Sequence, residues 1–86
     1  MLIIRNSSHF ERQFEKLPKT LQTKVRKRAE IFTTNPFDSR LKTHKLHGDK
    51  QNAWAFSVDY PYRIVFIFVG NNEVLYTDIG THDELY

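Results

Sequence analysis

The chain has 86 residues, a formal net charge of +3 and no cysteine. A chain of this length forms one hydrophobic core, so we predict a single domain over residues 1–86. The absence of cysteine excludes disulfides, thiolate nucleophiles and Cys-ligated metal sites. The longest apolar run, 64–69, is far shorter than the about 20 residues that a membrane-spanning helix needs. No signal-peptide pattern opens the sequence, so we expect a cytoplasmic protein that does not contact a membrane.

Basic residues are concentrated in the middle of the chain. Between Lys16 and Lys50 there are ten lysines and arginines but only three acidic residues. Such a distribution fits an anionic partner, which would be nucleic acid or an acidic protein. A solvated helix face without a partner has the same pattern, so charge alone leaves both interpretations open.

The first half of the chain predicts a strand and two helices. Residues 2–4 form a short β-branched run that is typical of a strand. Ser8 and Glu11 have the spacing of a capping box, in which Ser8 would cap a helix over about 8–17. Apolar residues at helical spacing predict a second helix over 21–32, and the Asn-Pro pair that follows it would end it.

The second half predicts three strands, at 53–59, 62–69 and 73–79. We expect Gly70-Asn71-Asn72 to supply the positive-φ residues of a tight hairpin turn. The element order is therefore β-α-α-β-β-β, which is an α+β fold with a small antiparallel sheet and a helical hairpin packed on one face.

Strict alternation assigns each hairpin side chain to a face of the sheet. In the first hairpin strand the bulkier set, Tyr62, Ile64, Phe66 and Phe68, should meet the helices, and Arg63 should lie on the opposite, open face. In the second strand, alternation places Val74 and Tyr76 on one face and Leu75 and Ile79 on the other.

The least regular segment, 36–52, contains two histidines, His44 and His47. An imidazole can accept or donate a proton near neutral pH, and lysines beside it can hold phosphates. Zinc binding with His82 as a third ligand is a weaker alternative, because no HExxH spacing or cysteine supports it. A surface loop without a special function is a further interpretation.

Arg63 is the only charged residue inside an otherwise apolar strand. Burying a guanidinium is costly unless it is paired or lies at the edge of a cleft. One interpretation is a salt bridge to Asp59 or Asp78. The other is a site in which the guanidinium binds a phosphate and stabilises the negative charge of a transition state.

The last residues bring a further histidine and tyrosine to the end of the final strand. His82 follows Gly80, where a glycine lets the backbone turn, and Tyr86 ends the sequence. Tyr86 can stack on a nucleotide base, but a terminal residue is often frayed and without a role.

Three segments in this order resemble the RelE/ParE superfamily of bacterial toxins, and among them the RelE, YafQ and YoeB type: LKTHKLHG, YRIVFIFV and IGTHDELY. The resemblance covers nearly the whole chain and implies the same β-α-α-β-β-β fold. It further implies a toxin of a type II toxin–antitoxin system. Such a toxin is a ribosome-dependent endoribonuclease that cuts mRNA in the decoding site, uses no cofactor and is silenced by an antitoxin from the same operon.

The resemblance also implies roles for individual residues. His44 would be the general base, Arg63 would stabilise the scissile phosphate, His82 would be the acid, and Tyr86 would stack on or orient a base. The reaction would be attack of a 2′-OH on the adjacent phosphate. The residues expected to hold the RNA are Lys42, Lys45, His47 and Lys50.

The chain departs from the pattern in two places. Val58 and Tyr62 stand where YafQ-like toxins have a second histidine and an aspartate, so His44, His47 or a lysine remain candidates for the base. Two other functions also fit the resemblance. One is inhibition of DNA gyrase without nuclease activity, as in ParE-like relatives, and the other is an inactive relative that only binds an antitoxin.

Overall fold

The computed structural model describes residues 2–48 and 52–85. Within this part of the chain the predicted order β-α-α-β-β-β is present, with three short additions. No helix of the described residues is long and apolar enough to cross a membrane. The elements are β1 (Ile3–Asn6), α1 (Ser8–Glu15), α2 (Lys19–Thr34), a one-turn 3-10 helix (Ser39–Leu41), β2 (His44–Lys45), β3 (Ala53–Ser57), β4 (Tyr62–Phe68), β5 (Glu73–Thr81) and α3 (His82–Leu85).

The strands of the described residues form one sheet in the order β1-β5-β4-β3-β2. The α+β fold with a helical hairpin on the sheet is confirmed. One detail of the prediction is wrong, because β1 pairs with β5 in parallel, from Ile3 opposite Glu73 to Asn6 opposite Tyr76, and the sheet is therefore mixed. Both long helices and three strands separate β1 from β5 in the sequence, so no tight turn forces this pair to be antiparallel.

The main core lies between the sheet and the two helices. Tyr62, Ile64 and Phe66 of β4 face this side, as predicted. The ring of Phe32 on α2 stacks on Phe56 of β3 at 4.6 Å and meets Phe66 edge-on at 4.8 Å. Each fully buried aromatic of this kind stabilises the fold by about 1.5–3 kcal/mol relative to an exposed one, so these contacts fix which face of β4 is buried.

A second, smaller core lies on the other face of the sheet, where Arg63 is also located. The end of α3 packs there, so this face is covered in part by the C-terminal helix rather than being open as predicted. Its buried members are Leu46, Ala53, Ala55, Val65 and Leu85.

Two local predictions, the residue that caps α1 and the backbone conformation of the β4–β5 connection, are wrong. The cap of α1 is Ser7 and not Ser8: the Ser7 hydroxyl accepts a hydrogen bond from the Phe10 amide at 3.0 Å, while the Ser7 amide donates to the Tyr76 carbonyl of β5. The β4–β5 connection also lacks the expected positive-φ residues. It spans four residues, 69–72, and a longer connection does not need the two left-handed residues of a two-residue turn.

A β-bulge in β5 reverses the predicted face of Ile79. Val65 lies opposite Asp78, but the next residue of β4, Phe66, lies opposite Tyr76, so Thr77 is an extra residue. The Thr77 hydroxyl donates to the Val65 carbonyl at 3.2 Å. The bulge shifts the alternation by one, and Ile79 joins the main core instead of facing away from it.

The hydroxyl of Tyr76 is buried in the main core without a hydrogen-bond partner among the described residues. The ring contacts Phe10 at 5.4 Å and Phe32 at 5.7 Å between centroids. Burial raises the pKa of the Tyr76 phenol above its ordinary value of 10.0, because the phenolate would lose its hydration. The ring therefore contributes packing, and its hydroxyl contributes no polar contact.

We predict that Tyr76→Phe leaves the free energy of unfolding at pH 7 unchanged or raises it by up to about 1 kcal/mol, since it removes an unpaired buried hydroxyl. Above pH 10 the unfolded chain loses this proton and the folded chain keeps it, so stability falls with rising pH. The variant should lose less stability there than the wild type. Urea denaturation between pH 7 and 11 measures both effects, and a clear loss of stability at pH 7 would show that the hydroxyl is hydrogen-bonded.

Candidate functional site

A cleft of about 450 Å³ lies between the β3–β4 turn and the end of β5. The His82 amide donates to the Pro61 carbonyl at 3.0 Å, which ties the start of α3 to this turn. Of the predicted site residues, Arg63 and His82 are thus brought to the same cleft. The residues that line it are Tyr60, Pro61, Arg63, Thr81, His82 and Asp83.

Arg63 is fixed through one of its guanidinium nitrogens. Its Nη1 donates to the carbonyls of Tyr60 at 2.9 Å, Asp59 at 3.0 Å and Tyr62 at 3.3 Å, and to the Ser57 hydroxyl at 3.2 Å. Within residues 2–48 and 52–85, the side chain of Glu84 not included, Nε and Nη2 have no such partner. These two nitrogens form one edge of the planar group, and this edge suits two oxygens of a phosphate or carboxylate.

The salt bridge proposed as an alternative role for Arg63 does not form. The carboxylate of Asp59 accepts from the Tyr62 amide at 3.1 Å and lies 3.5 Å from Lys24 Nζ. Asp78 lies 3.1 Å from His9 Nε2. Because both acids have other partners, no ion pair neutralises the Arg63 charge in the described part of the chain.

Gly80 of β5 is the residue directly opposite Arg63, so no side chain from that strand stands across from the guanidinium. His82 follows two residues later as the first residue of α3. Its ring is exposed, and Nδ1 lies 3.8 Å from the Asp83 carboxylate, which is itself exposed. An exposed imidazole beside a half-buried guanidinium gives the cleft one permanent cation and one group that can transfer a proton.

His44 lies at the edge of the sheet, on the two-residue strand β2. Its Nδ1 is 3.1 Å from the Lys42 carbonyl. A carbonyl only accepts hydrogen bonds, so Nδ1 carries a proton and the neutral ring has its lone pair on Nε2. Lys42 has a left-handed backbone with φ of 53°, and this turn directs its carbonyl at the ring.

The sheet register places His44 on the same face as Arg63. His44 lies opposite Ala55, which lies opposite Val65, two residues along β4 from Arg63. With ordinary strand spacing and rise, the two Cα atoms are about 12 Å apart. The two side chains therefore do not form one contact group, but a ligand lying across β3 can reach both.

The remaining predicted residues are more scattered. Lys45 lies opposite Trp54, so its side chain is on the helix side of the sheet, away from Arg63. Lys42, which precedes β2 in the sequence, and His47, which follows it, are both exposed. Lys50 and Tyr86 lie outside the described residues, and among those described no cluster of three His, Asp or Glu could hold a metal ion.

No protein family model and no curated protein sequence matches this chain. Several solved structures do. YafQ from Escherichia coli BL21(DE3) has a TM-score of 0.80 at 16% identity, over 100% of this chain and 99% of that chain. A YoeB/ParE toxin from Agrobacterium tumefaciens has a TM-score of 0.79 at 16% identity, over 95% and 99%. A structure of the archaeal RelE–RelB complex from Pyrococcus horikoshii matches with a TM-score of 0.75 at 12% identity, over 93% and 93%.

The chain has a RelE-like fold. At these sequence identities the likeness establishes the fold alone, so any activity has to be argued from the residues of the cleft.

On this RelE-like fold, the sequence did not reveal the groups that hold Arg63. Ser57 and the carbonyls of the β3–β4 turn are these groups, and Pro61 and Thr81 complete the cleft. The only signal in the sequence is the Asp-Tyr-Pro turn that precedes Arg63 by one residue. Backbone carbonyls are present at every position, so their convergence on one nitrogen cannot be deduced from residue types.

Arg63 therefore also contributes to stability, and we expect its contribution to exceed that of His82. We predict that Arg63→Ala lowers the free energy of unfolding by about 1–2 kcal/mol, because the carbonyls of the turn lose a charged donor. His82→Ala should lower it by less than Arg63→Ala does, since the ring that is lost is exposed and the backbone bond to Pro61 remains. Urea denaturation of both variants tests this, and equal stability of the two would contradict the bracing role of Arg63.

Proposed function

We propose that the protein is the toxin of a type II toxin–antitoxin system, a member of the RelE superfamily that cleaves mRNA as a ribosome-dependent endoribonuclease. The observation that carries the proposal is the cleft in which Arg63, without an ion-pair partner among the described side chains, and an exposed His82 share one space on a RelE-like fold. An arginine edge and an imidazole are the groups that a phosphodiester cleavage needs when it uses no metal.

In the proposed reaction, the scissile phosphate binds to Nε and Nη2 of Arg63. The 2′-oxygen attacks the adjacent phosphorus, a new P–O2′ bond forms, and the bond to the 5′-oxygen of the next nucleotide breaks. The products are a 2′,3′-cyclic phosphate and a free 5′-OH. Negative charge grows on the phosphate oxygens during this step, and a guanidinium already fixed by four acceptors stabilises it without reorganising.

Two protons move in this reaction. We assign the removal of the 2′-OH proton to His44, whose lone pair is on Nε2, and the protonation of the leaving 5′-oxygen to His82. In this assignment His44 accepts a proton and His82 donates one in the same step. RNA lying across β3 would extend from one histidine to the other, and His47 or a lysine remains the alternative base.

The proposed partners follow from charge and from the similar structures. Lys42 and His47 would hold the RNA backbone near His44, whereas Lys45 on the other side of the sheet would contact a different part of the mRNA or the ribosome. Lys50, outside the described residues, is a further candidate for binding the RNA. The RelE–RelB complex among the similar structures supports a cognate antitoxin as the protein partner. A ribosome-dependent toxin acts in the cytoplasm.

The test is a translation extract programmed with a defined mRNA, treated with the protein separated from its antitoxin and analysed by primer extension. We expect new 5′ ends inside the ribosomal decoding site, and none without ribosomes. Arg63→Ala should reduce cleavage by about 100-fold or more, and His82→Ala by a similar factor. Arg40→Ala is the matched control, because it removes an exposed arginine that is paired with Asp38 away from the cleft.

Normal cleavage by both cleft variants would overturn the residue assignment. No cleavage by folded wild-type protein would overturn the nuclease function itself. A gyrase supercoiling assay would then separate a ParE-like gyrase inhibitor from an inactive relative that only binds an antitoxin. Comparing His44→Ala with His47→Ala in the same extract identifies the base.

A further inference from the structure

Helix α1 takes the place of a strand along the second half of β5. Strand β1 pairs with β5 only as far as Asn6 opposite Tyr76, and the chain then turns into α1. Strand β5 continues to Thr81, so beyond Tyr76 its backbone groups on this edge need other partners.

Three side chains at the start of α1 and within it contact this part of β5, two of them through its backbone and one through a side chain. The Ser7 hydroxyl donates to the Thr77 carbonyl at 3.2 Å, and His9 Nε2 lies 3.1 Å from the Asp78 carboxylate. Gln13 Oε1 accepts from the Ile79 amide at 2.9 Å. They meet three successive residues of β5, and these are the bulge residue and the two that follow it.

The contact made by Gln13 is the last of the three before the candidate cleft. Ile79 is followed by Gly80, which lies opposite Arg63, and then by Thr81 and His82, which line the cleft. The bulge places the Ile79 side chain in the core. The hydrogen bond of the Ile79 amide therefore helps to determine which face of the sheet each of the next residues occupies as β5 reaches the cleft. Ser7 also caps α1, and the His9 ion pair is exposed. The Gln13 side chain differs from both, because the Ile79 amide is its one hydrogen-bond partner among the described residues.

We propose that Gln13 is a positioning residue: by accepting from the Ile79 amide, it holds the end of β5 so that His82 lies against the same cleft as Arg63. The catalytic consequence rests on the proposed nuclease function, whereas the structural consequence does not. Gln13 touches no substrate in this proposal and acts through β5 alone.

Three variants isolate this contact. Gln13→Met keeps the length of the side chain and removes the acceptor, and Gln13→Glu restores an oxygen at the same place. Gln22→Met is the matched control, because Gln22 is also a partly buried helical glutamine whose Nε2 donates to the carbonyls of Phe14 and Leu17. That control loses hydrogen bonds away from the cleft.

The first measurement is NMR on the full chain and does not depend on catalysis. In Gln13→Met the Ile79 amide should exchange its hydrogen about tenfold faster, as expected for the loss of one hydrogen bond. The resonances of Gly80, Thr81 and the His82 ring should shift. Gln22→Met should leave them at the wild-type positions, and Gln13→Glu should return them there. Unchanged exchange at Ile79, or unmoved Thr81 and His82 resonances, would overturn the proposal.

The second measurement is mRNA cleavage in the translation extract at increasing ribosome concentrations. Gln13→Met should lower kcat by about tenfold or more with little change in KM, since a displaced catalytic group affects the chemical step more than binding. Gln13→Glu should restore kcat, and Gln22→Met should retain it. Equal losses in the two methionine variants would mean a merely structural role and would overturn the positioning claim. If the wild type cuts no RNA, the proposed function fails, while the NMR result still decides whether Gln13 positions this end of β5.

Discussion

The burial of one face of β4 is the constraint on which the rest of the structure depends. Ile64 and Phe66 are completely buried between the sheet and α2, and β4 has an antiparallel neighbour on each side. A slip of one residue would exchange the two faces and drive Arg63 into the aromatic core. The desolvation of an unpaired guanidinium there would cost several kcal/mol, so the apolar packing on one face fixes the position of the charge on the other.

The electrostatics of the cleft follow from where the nearby acids are bound. Asp59 and Asp78 are both close to Arg63 in the sheet, and either could have neutralised it. Asp59 is instead occupied by the Tyr62 amide and by Lys24 of α2, and Asp78 is paired with His9 of α1. The helices thus withdraw two carboxylates from the cleft and leave its arginine available to an anion. This arrangement depends on tertiary contacts between elements far apart in the sequence.

Those contacts mark the limit of what the sequence could predict. The period of two in β4 and the helical spacing in α2 are local patterns, and they correctly predicted the elements, the buried face of β4 and the side on which Arg63 lies. The face of Ile79 was predicted wrongly because alternation assumes an unbroken ladder, and Thr77 is an ordinary strand residue that gives no local sign of a bulge. The cap at Ser7 and the parallel pairing of β1 were missed for the same reason, since both depend on β5.

The core and the cleft of this fold are formed by different residues. The residues that hold the sheet to the helices are apolar and can be replaced by other apolar residues of similar volume, which is consistent with similar structures at 12–16% identity. The exposed ring of His82 contributes nothing to that core. Arg63, by contrast, also braces the β3–β4 turn, so its replacement affects the fold as well as the cleft. In this chain the carboxylates of Asp59 and Asp78 are both bound by other partners, so the packing of the helices, and not only the residues of the cleft, determines the charge that surrounds Arg63.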